Sequence, residues 1–270
     1  MLRDKKLAVL GAGMMGGALA RGLVNASAMP ALNIAIFDTD TAKASALAAD
    51  LGGGAAVCPT LASALAKSEI ILLAVKPLIV HEVLAQIAPF LLPGQLVISI
   101  AAGVRLAAME ALLPAAAIIR AMPNTPCLVG AGATALARGA HATEEHLSLA
   151  HSLFASVGQA VEVPERLLDA VTGLSGSGPA YVYLMIEALT DGGVKEGLPH
   201  ETARLLAAQT VMGAAQMALA SHDHPAQLKA NVTTPGGTTI AGLTALERAG
   251  FRAALINAVE AAAQRSRELS

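Results

Sequence analysis

The 270-residue chain contains no tryptophan, and aromatic residues amount to only 2%. A nucleic-acid surface would need a basic tract with interleaved aromatics, and the sequence offers neither. Charge is scarce as well: charged residues make up 14% and the formal net charge is -2 at pH 7. Cysteine occurs twice, at Cys58 and Cys127, far apart and without metal-type spacing. No metal is expected, and reduced thiols in a cytoplasmic protein are the simple expectation. A membrane span would need an uninterrupted apolar run of ~20 residues. The window Val83–Val104 is broken by Pro89, Pro93 and Gly94, and Leu205–Ser221 is short and carries Gln209 and Gln216. The opening MLRDKKLAVLGAG holds Asp4 and a brief apolar run leading into a glycine motif, so it is read as a first strand rather than a secretory leader.

What the chain does have is apolar material, 54% of its residues. That excludes disorder and suggests a second buried surface beyond one core. The first half alternates short apolar runs with Ala/Leu-rich stretches. Strands are predicted at Lys5–Leu10, Asn33–Phe37, Ile70–Val75, Leu96–Ile100, Ile118–Met122, Ala133–Ala137 and Ala160–Val163. Helices between them include Ala42–Leu51 and Ile79–Phe90. Continuous apolar strands suit a parallel sheet covered on both faces, and the alternation predicts a doubly wound α/β domain over 1–163. From 164 to 270 the β signal is gone. Helices are predicted at Pro179–Asp191, Pro199–Ser221, Thr238–Ala249 and Phe251–Leu269, with Gly192-Gly193 and Gly250 marking ends. The stretch Leu205–Ala220 has almost no polar face, which argues for packing against a second copy of the chain.

Gly11-Ala12-Gly13-Met14-Met15-Gly16 follows the first predicted strand and opens a helix, and Asp38 ends the second strand. Strand, glycine turn, helix and acid in this register predict a dinucleotide site, with pyrophosphate at the helix start. Asp38 can accept from a ribose 2′-hydroxyl and repels a 2′-phosphate, so the local chemistry favours NADH; alternatively Asp38 or Thr39 caps the next helix. Ala74-Val75-Lys76-Pro77, Ser99–Gly103 and Ala121–Pro126 are further strand-end loops. Lys76 could reach a ribose or phosphate, or be a plain surface lysine. Asn124, stiffened by flanking prolines, suits a loop held against a flat ring or an ordinary turn.

Two later strings are unusual: Gly173–Tyr181 (GLSGSGPAY) and Val232–Thr239 (VTTPGGTT). In the second, a Gly-Gly pair exposes backbone N–H groups at a helix start beside the hydroxyls of Thr234, Thr238 and Thr239, a receptor for a small carboxylate. The competing reading is an N-cap by Thr238 or Thr239. His222-Asp223-His224 reads as a solvated turn, and His141, His146 and His151 do not share a helical face. Ser175 and Ser177 lie in a glycine turn without a nucleophile elbow.

The strings GAGMMGGA, AVKP, SIAAGV, RAMPNTP, GLSGSGPAY and NVTTPGGTTIAGL, in this order, resemble the pyrroline-5-carboxylate reductases over nearly the whole chain. The resemblance implies a Rossmann-type domain followed by an all-helical dimerisation domain. It implies NAD(P)H-dependent reduction of a C=N bond, L-1-pyrroline-5-carboxylate to L-proline, the last step of proline biosynthesis. It places the dinucleotide on Gly11, Ala12, Gly13, Met14, Met15 and Gly16, on Ala74, Val75, Lys76 and Pro77, and on Ser99, Ala101 and Ala102. It assigns Thr234, Gly237 and Thr238 to the substrate carboxylate and Thr239 to the ring nitrogen. It also implies dimers through interwoven helices, often in rings of dimers. Asp38 departs from the family, many of whose members prefer NADPH, so both cofactors are expected to work.

No His, Asp or Glu near these motifs is an evident general acid. Thr239 is the candidate, donating a hydrogen bond to the imine nitrogen and relaying a solvent proton, unless the substrate arrives already protonated. A β-hydroxyacid dehydrogenase or imine reductase would carry a catalytic lysine in the glycine-rich helix, whereas Lys195 and Lys229 lie outside the SGSGPAY helix start. A non-catalytic dinucleotide sensor would not need VTTPGGTT.

Overall fold

The computed structural model describes residues 2–269. The chain divides into two compact units. One holds the residues up to Ser177 together with those from Ala261 onward; the other is Gly178–Glu260.

The first unit carries eight strands: β1 (Leu7–Leu10), β2 (Ile34–Phe37), β3 (Ala56–Val57), β4 (Ile70–Leu73), β5 (Leu96–Ser99), β6 (Ala117–Met122), β7 (Gly132–Arg138) and β8 (Gly158–Glu162). They form one sheet in the order β3-β2-β1-β4-β5-β6-β7-β8. Every neighbouring pair is parallel except β6–β7. Its helices are α1 (Met14–Asn25), α2 (Thr41–Asp50), α3 (Leu61–Leu65), α4 (Val80–Ile87), α5 (Leu106–Leu112), α6 (Glu144–Ala155) and α7 (Leu168–Val171).

The strands are apolar throughout because both faces are covered. Leu7 and Val9 of β1 and Ile70 and Leu72 of β4 join one core with Leu19 and Leu23 of α1, Leu47 of α2, and Leu153 and Phe154 of α6. The alternate residues Ala8, Leu10, Ile71 and Leu73 join the other core, with Leu65 of α3, Leu84 of α4 and Met109 of α5. Each large side chain buried this way contributes roughly 1.5–3 kcal/mol.

The sequence reading missed β3, a two-residue edge strand whose side chains are both exposed, so it has no apolar run to detect. The parallel arrangement read from most of the apolar runs holds except at β6–β7. The direction of β7 follows from the connection: residues 123–131 hold only a short 3-10 turn, and a parallel return needs a crossover of a dozen or more residues. The cap of α2 is Asp40, whose side chain accepts from the N–H groups of Ala42 and Lys43, and neither Asp38 nor Thr39 fills that role.

The second unit contains α8 (Gly178–Lys195), α9 (His200–Ala220), α10 (Pro225–Asn231), α11 (Thr238–Arg248) and the start of α12 (Phe251–Leu269). Gly192 and Gly193 do not end α8 as the sequence suggested. Gly193 faces α9, where an added Cβ would stand 3.0 Å from the Ala203 Cβ, and the chain leaves the helix at Gly197, in the left-handed region. The α8–α9 pair leaves Tyr183, Leu184, Leu205, Leu206, Met217 and Leu219 exposed within this chain. Among the described residues, no helix is long and apolar enough to cross a membrane. The end of α12 belongs to the first unit, where the Ser266 hydroxyl donates to Asp169 Oδ1 at 2.6 Å.

One polar junction anchors the chain as it leaves the sheet. Arg120 on β6 is buried, and its guanidinium donates to Glu165 Oε1 at 2.9 Å; the same oxygen accepts the Leu106 N–H, the first of α5, at 2.7 Å. Removing the carboxylate strands a buried cation and an amide together. Glu165→Ala is therefore expected to lower stability by about 2–4 kcal/mol, read as a lower urea midpoint at unchanged slope. Glu165→Gln, which keeps an acceptor, should cost less.

Candidate functional site

The carboxyl ends of β1, β2 and β4 open onto a cleft of about 300 Å³. Parallel sheets bind ligands at this edge, because the loops there connect strand ends to helix starts. The glycine loop is shaped by close backbone approach. Gly11 has φ +106°, and a Cβ on it would lie 2.5 Å from the Ala74 carbonyl oxygen. A Cβ on Gly16 would lie 2.1 Å from the Gly11 carbonyl oxygen, whereas Gly13 faces open space. The two crowded glycines let α1 sit down on the sheet, and the open one leaves room for a ligand. No side chain caps α1 at Gly13, and its first turn carries no acid. Its leading N–H groups are thus turned to an anion with nothing competing.

Asp38 at the end of β2 holds this loop. Its Oδ2 accepts the Ala12 N–H at 2.8 Å and its Oδ1 the Asp40 N–H at 2.8 Å. Asp40 adds a second negative charge; the Lys43 N–H, then the Lys43 ammonium at 3.3 Å, hold its carboxyl below the usual range.

Of the residues singled out from sequence for the cofactor, Gly11, Gly13, Asp38, Ala74, Val75 and Lys76 line the cleft. Ala12, Met14, Met15 and Gly16 belong to the same loop and first helical turn but are not among its lining residues. Ser99 is fully buried, and its hydroxyl accepts from the Ala101 N–H at 3.4 Å; Ala101 is buried too. Pro77 and the exposed Ala102 line a neighbouring groove with His81 and Arg105. Asn124, past the end of β6, has both ends of its carboxamide bonded to protein: Oδ1 accepts the Ala133 N–H at 2.8 Å and Nδ2 donates to the Ser175 carbonyl at 3.0 Å. Sequence reasoning missed Ile79, Val83 and Gln86, which line the cleft from one side. Their spacing over α4 and the turn before it marks one helical face, a signal present in the sequence.

In the second unit, residues 233–237 turn into α11. Gly237 is the N-cap, with no side-chain cap bond, and Thr238 opens the helix. The capping alternative for Thr238 and Thr239 is therefore not realised. Thr233 and Thr244 spend their hydroxyls on the carbonyls of Lys229 and Ile240. Among the described residues, the hydroxyls of Thr234, Thr238 and Thr239 make no such bond, and the first turn of α11 has no acid. Gly237 is required by its neighbour: a Cβ there would come within 2.2 Å of Thr234 Oγ1. Three hydroxyls without a carbonyl partner and an uncapped helix start thus lie within a few residues of one another.

The SGSGP string is not the glycine turn expected from sequence. The chain stays helical from α7 through a π turn at Thr172–Gly176 into α8, with the Ser177 N–H donating to the Thr172 carbonyl at 2.8 Å. The Ser175 hydroxyl donates back to the Val171 carbonyl, so it serves its own helix.

Comparison with known proteins matches both the sheet-bearing and the helical part of the chain. Residues 165–269 match the family described as pyrroline-5-carboxylate reductase dimerisation, and residues 6–103 match one described as NADP oxidoreductase, coenzyme F420-dependent. A pyrroline-5-carboxylate reductase of Methanosarcina acetivorans is 46% identical over 99% of both chains. The structure of a pyrroline-5-carboxylate reductase from Coxiella burnetii superposes with a TM-score of 0.94 at 35% identity, covering 99% of each chain. That of a Plasmodium falciparum pyrroline carboxylate reductase with NADP bound gives 0.85 at 35% identity, covering 100% of this chain and 99% of that one. With full-length identity of this order, and both its sheet-bearing and its helical part matched, the chain belongs to the pyrroline-5-carboxylate reductase family.

Proposed function

We propose that this chain reduces L-1-pyrroline-5-carboxylate to L-proline with a nicotinamide dinucleotide, residues 1–163 holding the dinucleotide and 164–270 carrying the substrate site and the self-association surface. The observation that carries the reading is the start of α11. An uncapped helix terminus with three unengaged threonine hydroxyls is built for a compact anion, and the substrate's carboxylate is one.

The glycine loop fits the dinucleotide, because Gly13 leaves open approach beside the bare terminus of α1. Gly11–Gly16, Ala74–Pro77, Ser99, Ala101 and Ala102 are assigned to that partner, with Asn124 at the same sheet edge. When bound, the dinucleotide supplies the hydride that the imine carbon accepts. Thr234, Thr238 and the Gly237 N–H orient the carboxylate. Thr239 places its hydroxyl at the ring nitrogen and relays the solvent proton that balances the hydride. The exposed apolar residues of α8 and α9 support association through the helical part, as a dimer that can build into a ring of dimers. A reductase with reduced thiols and no membrane or nucleic-acid partner suits a cytoplasmic setting.

Thr239→Ala is expected to lower kcat by about 10²–10⁴-fold at unchanged melting temperature, as loss of an acid–base contact does. Turnover equal to the unsubstituted enzyme removes Thr239 from the proton path. Gly237→Ala, which drives a methyl into Thr234 Oγ1, should raise KM for the imino acid and spare that for the dinucleotide.

Asp38 decides between the cofactors by charge. A 2′-phosphate would meet the carboxylates of Asp38 and Asp40, with Lys43 already paired to Asp40, whereas a 2′-hydroxyl can donate to Asp38. Both dinucleotides are expected to work, with NADH the better. Asp38→Asn keeps an acceptor for the Ala12 N–H but removes the charge. It should shift the kcat/KM ratio about tenfold toward NADPH, equivalent to ~1.4 kcal/mol. An unchanged ratio in steady-state assays with both cofactors would refute the charge argument.

A further inference from the structure

The helical run from α7 to α8 contains a carbonyl that lacks its ordinary α-helical backbone donor. In α-geometry the Ser175 oxygen takes the N–H of the residue four positions on. That residue is Pro179, which has no N–H and whose ring crowds the same carbonyl. The π turn at Thr172–Gly176 lies immediately before this point. Such turns relieve local conflicts inside helices and recur at functional sites. A half-buried carbonyl that loses this donor is costly unless another group bonds it.

Asn124 provides it, through the 3.0 Å bond from Nδ2 to the Ser175 oxygen. The 2.8 Å bond from the Ala133 N–H to Oδ1 fixes the carboxamide in the one orientation that points its NH₂ at the helix. Asn124 stands at the N-cap of the short turn Thr125–Val129, a position where asparagine commonly bonds its own turn, yet it makes no such bond. Gly176 also passes close to the Met122 side chain at the end of β6, an added Cβ lying 2.7 Å from its Cε. The π turn is thus fastened to this edge of the sheet by a polar bond, with the Met122 side chain beside it.

We propose that Asn124 is a positioning residue for the reduction: its side-chain N–H stands in for the one Pro179 lacks, locks the π turn in register, and so sets the start of the helix that leads to the substrate-binding part. A misplacement of about 1 Å at a reacting centre costs on the order of a hundredfold in rate. The proposal deepens the reductase reading and rests on it for its kinetic readout. It also separates Asn124 from a direct cofactor ligand, the role its place in the sequence suggested.

The test exploits the missing N–H, because Pro179→Ala restores a backbone donor opposite Ser175. In the full-length enzyme, Asn124→Ala should lower kcat by about tenfold to a hundredfold while leaving the dinucleotide Kd, measured by quenching of NADH fluorescence, within about twofold. Amides 172–178 should exchange hydrogen faster. Adding Pro179→Ala to Asn124→Ala should recover most of the lost kcat and the lost protection. Should the alanine variant not fold, Asn124→Asp serves in its place, because it keeps the acceptor for Ala133 and loses only the donor. A large rise in dinucleotide Kd without rescue would make Asn124 a cofactor ligand and overturn the proposal. Unchanged kcat and exchange in Asn124→Ala would overturn it as well. An unsubstituted enzyme that fails to reduce pyrroline-5-carboxylate sinks the reductase reading instead, and the exchange comparison then still decides whether Asn124 holds the π turn.

Discussion

The backbone of Gly11 runs against the Ala74 carbonyl, and Gly16 runs against the Gly11 carbonyl, at distances no side chain could share. Through these two contacts α1 is seated directly on the strand ends of β1 and β4. Its free N–H groups open at the cleft rather than above it, and the Asp38 carboxylate can reach the Ala12 amide. A single methyl at either glycine would lift the helix and dismantle the loop. The fold of the first unit and its chemistry therefore depend on the same few ångströms of bare backbone.

The helical unit uses the same physics with a different supporting cast. At α11, as at α1, the terminus carries no side-chain cap and no acid. Partial positive charge is left unspent at both places, at a cost to isolated helix stability that capping would remove. At α1 the open space over Gly13 shapes the site for an extended diphosphate. At α11 Thr234, Thr238 and Thr239 stand beside the uncapped start. Under the proposed function these two termini would receive the charged cofactor and the charged substrate.

Much of this was legible in the sequence because the signals were physical. Apolar runs such as IILL and LVIS give strands buried on both faces, and GAGMMG between a strand and an Asp gives the loop. What escaped had no local signature. Ala56–Val57 is too short and too exposed to read as a strand. The reversal of β7 is encoded in the length of the preceding connection rather than in the strand. Gly192-Gly193 looks like a helix end, but Gly193 serves the contact with Ala203. The glycines and serines of SGSGP read as a turn, because the donor that keeps them helical is Asn124, about fifty residues upstream. Long-range partners of this kind are invisible to any window of sequence.

The last helix has a consequence for how the protein is made. Residues from Ala261 onward belong to the larger unit, although Gly178–Glu260 intervenes, and Ser266 bonds Asp169 there. The helical unit is in effect an insertion in sequence, and the larger unit is complete only once the residues from Ala261 on have joined it. On a ribosome the sheet can assemble early, but α7 waits for its Ser266 partner, 97 residues further along the chain. A change in the last turns of α12 would thus be felt at the exit from the sheet, 97 residues away in sequence.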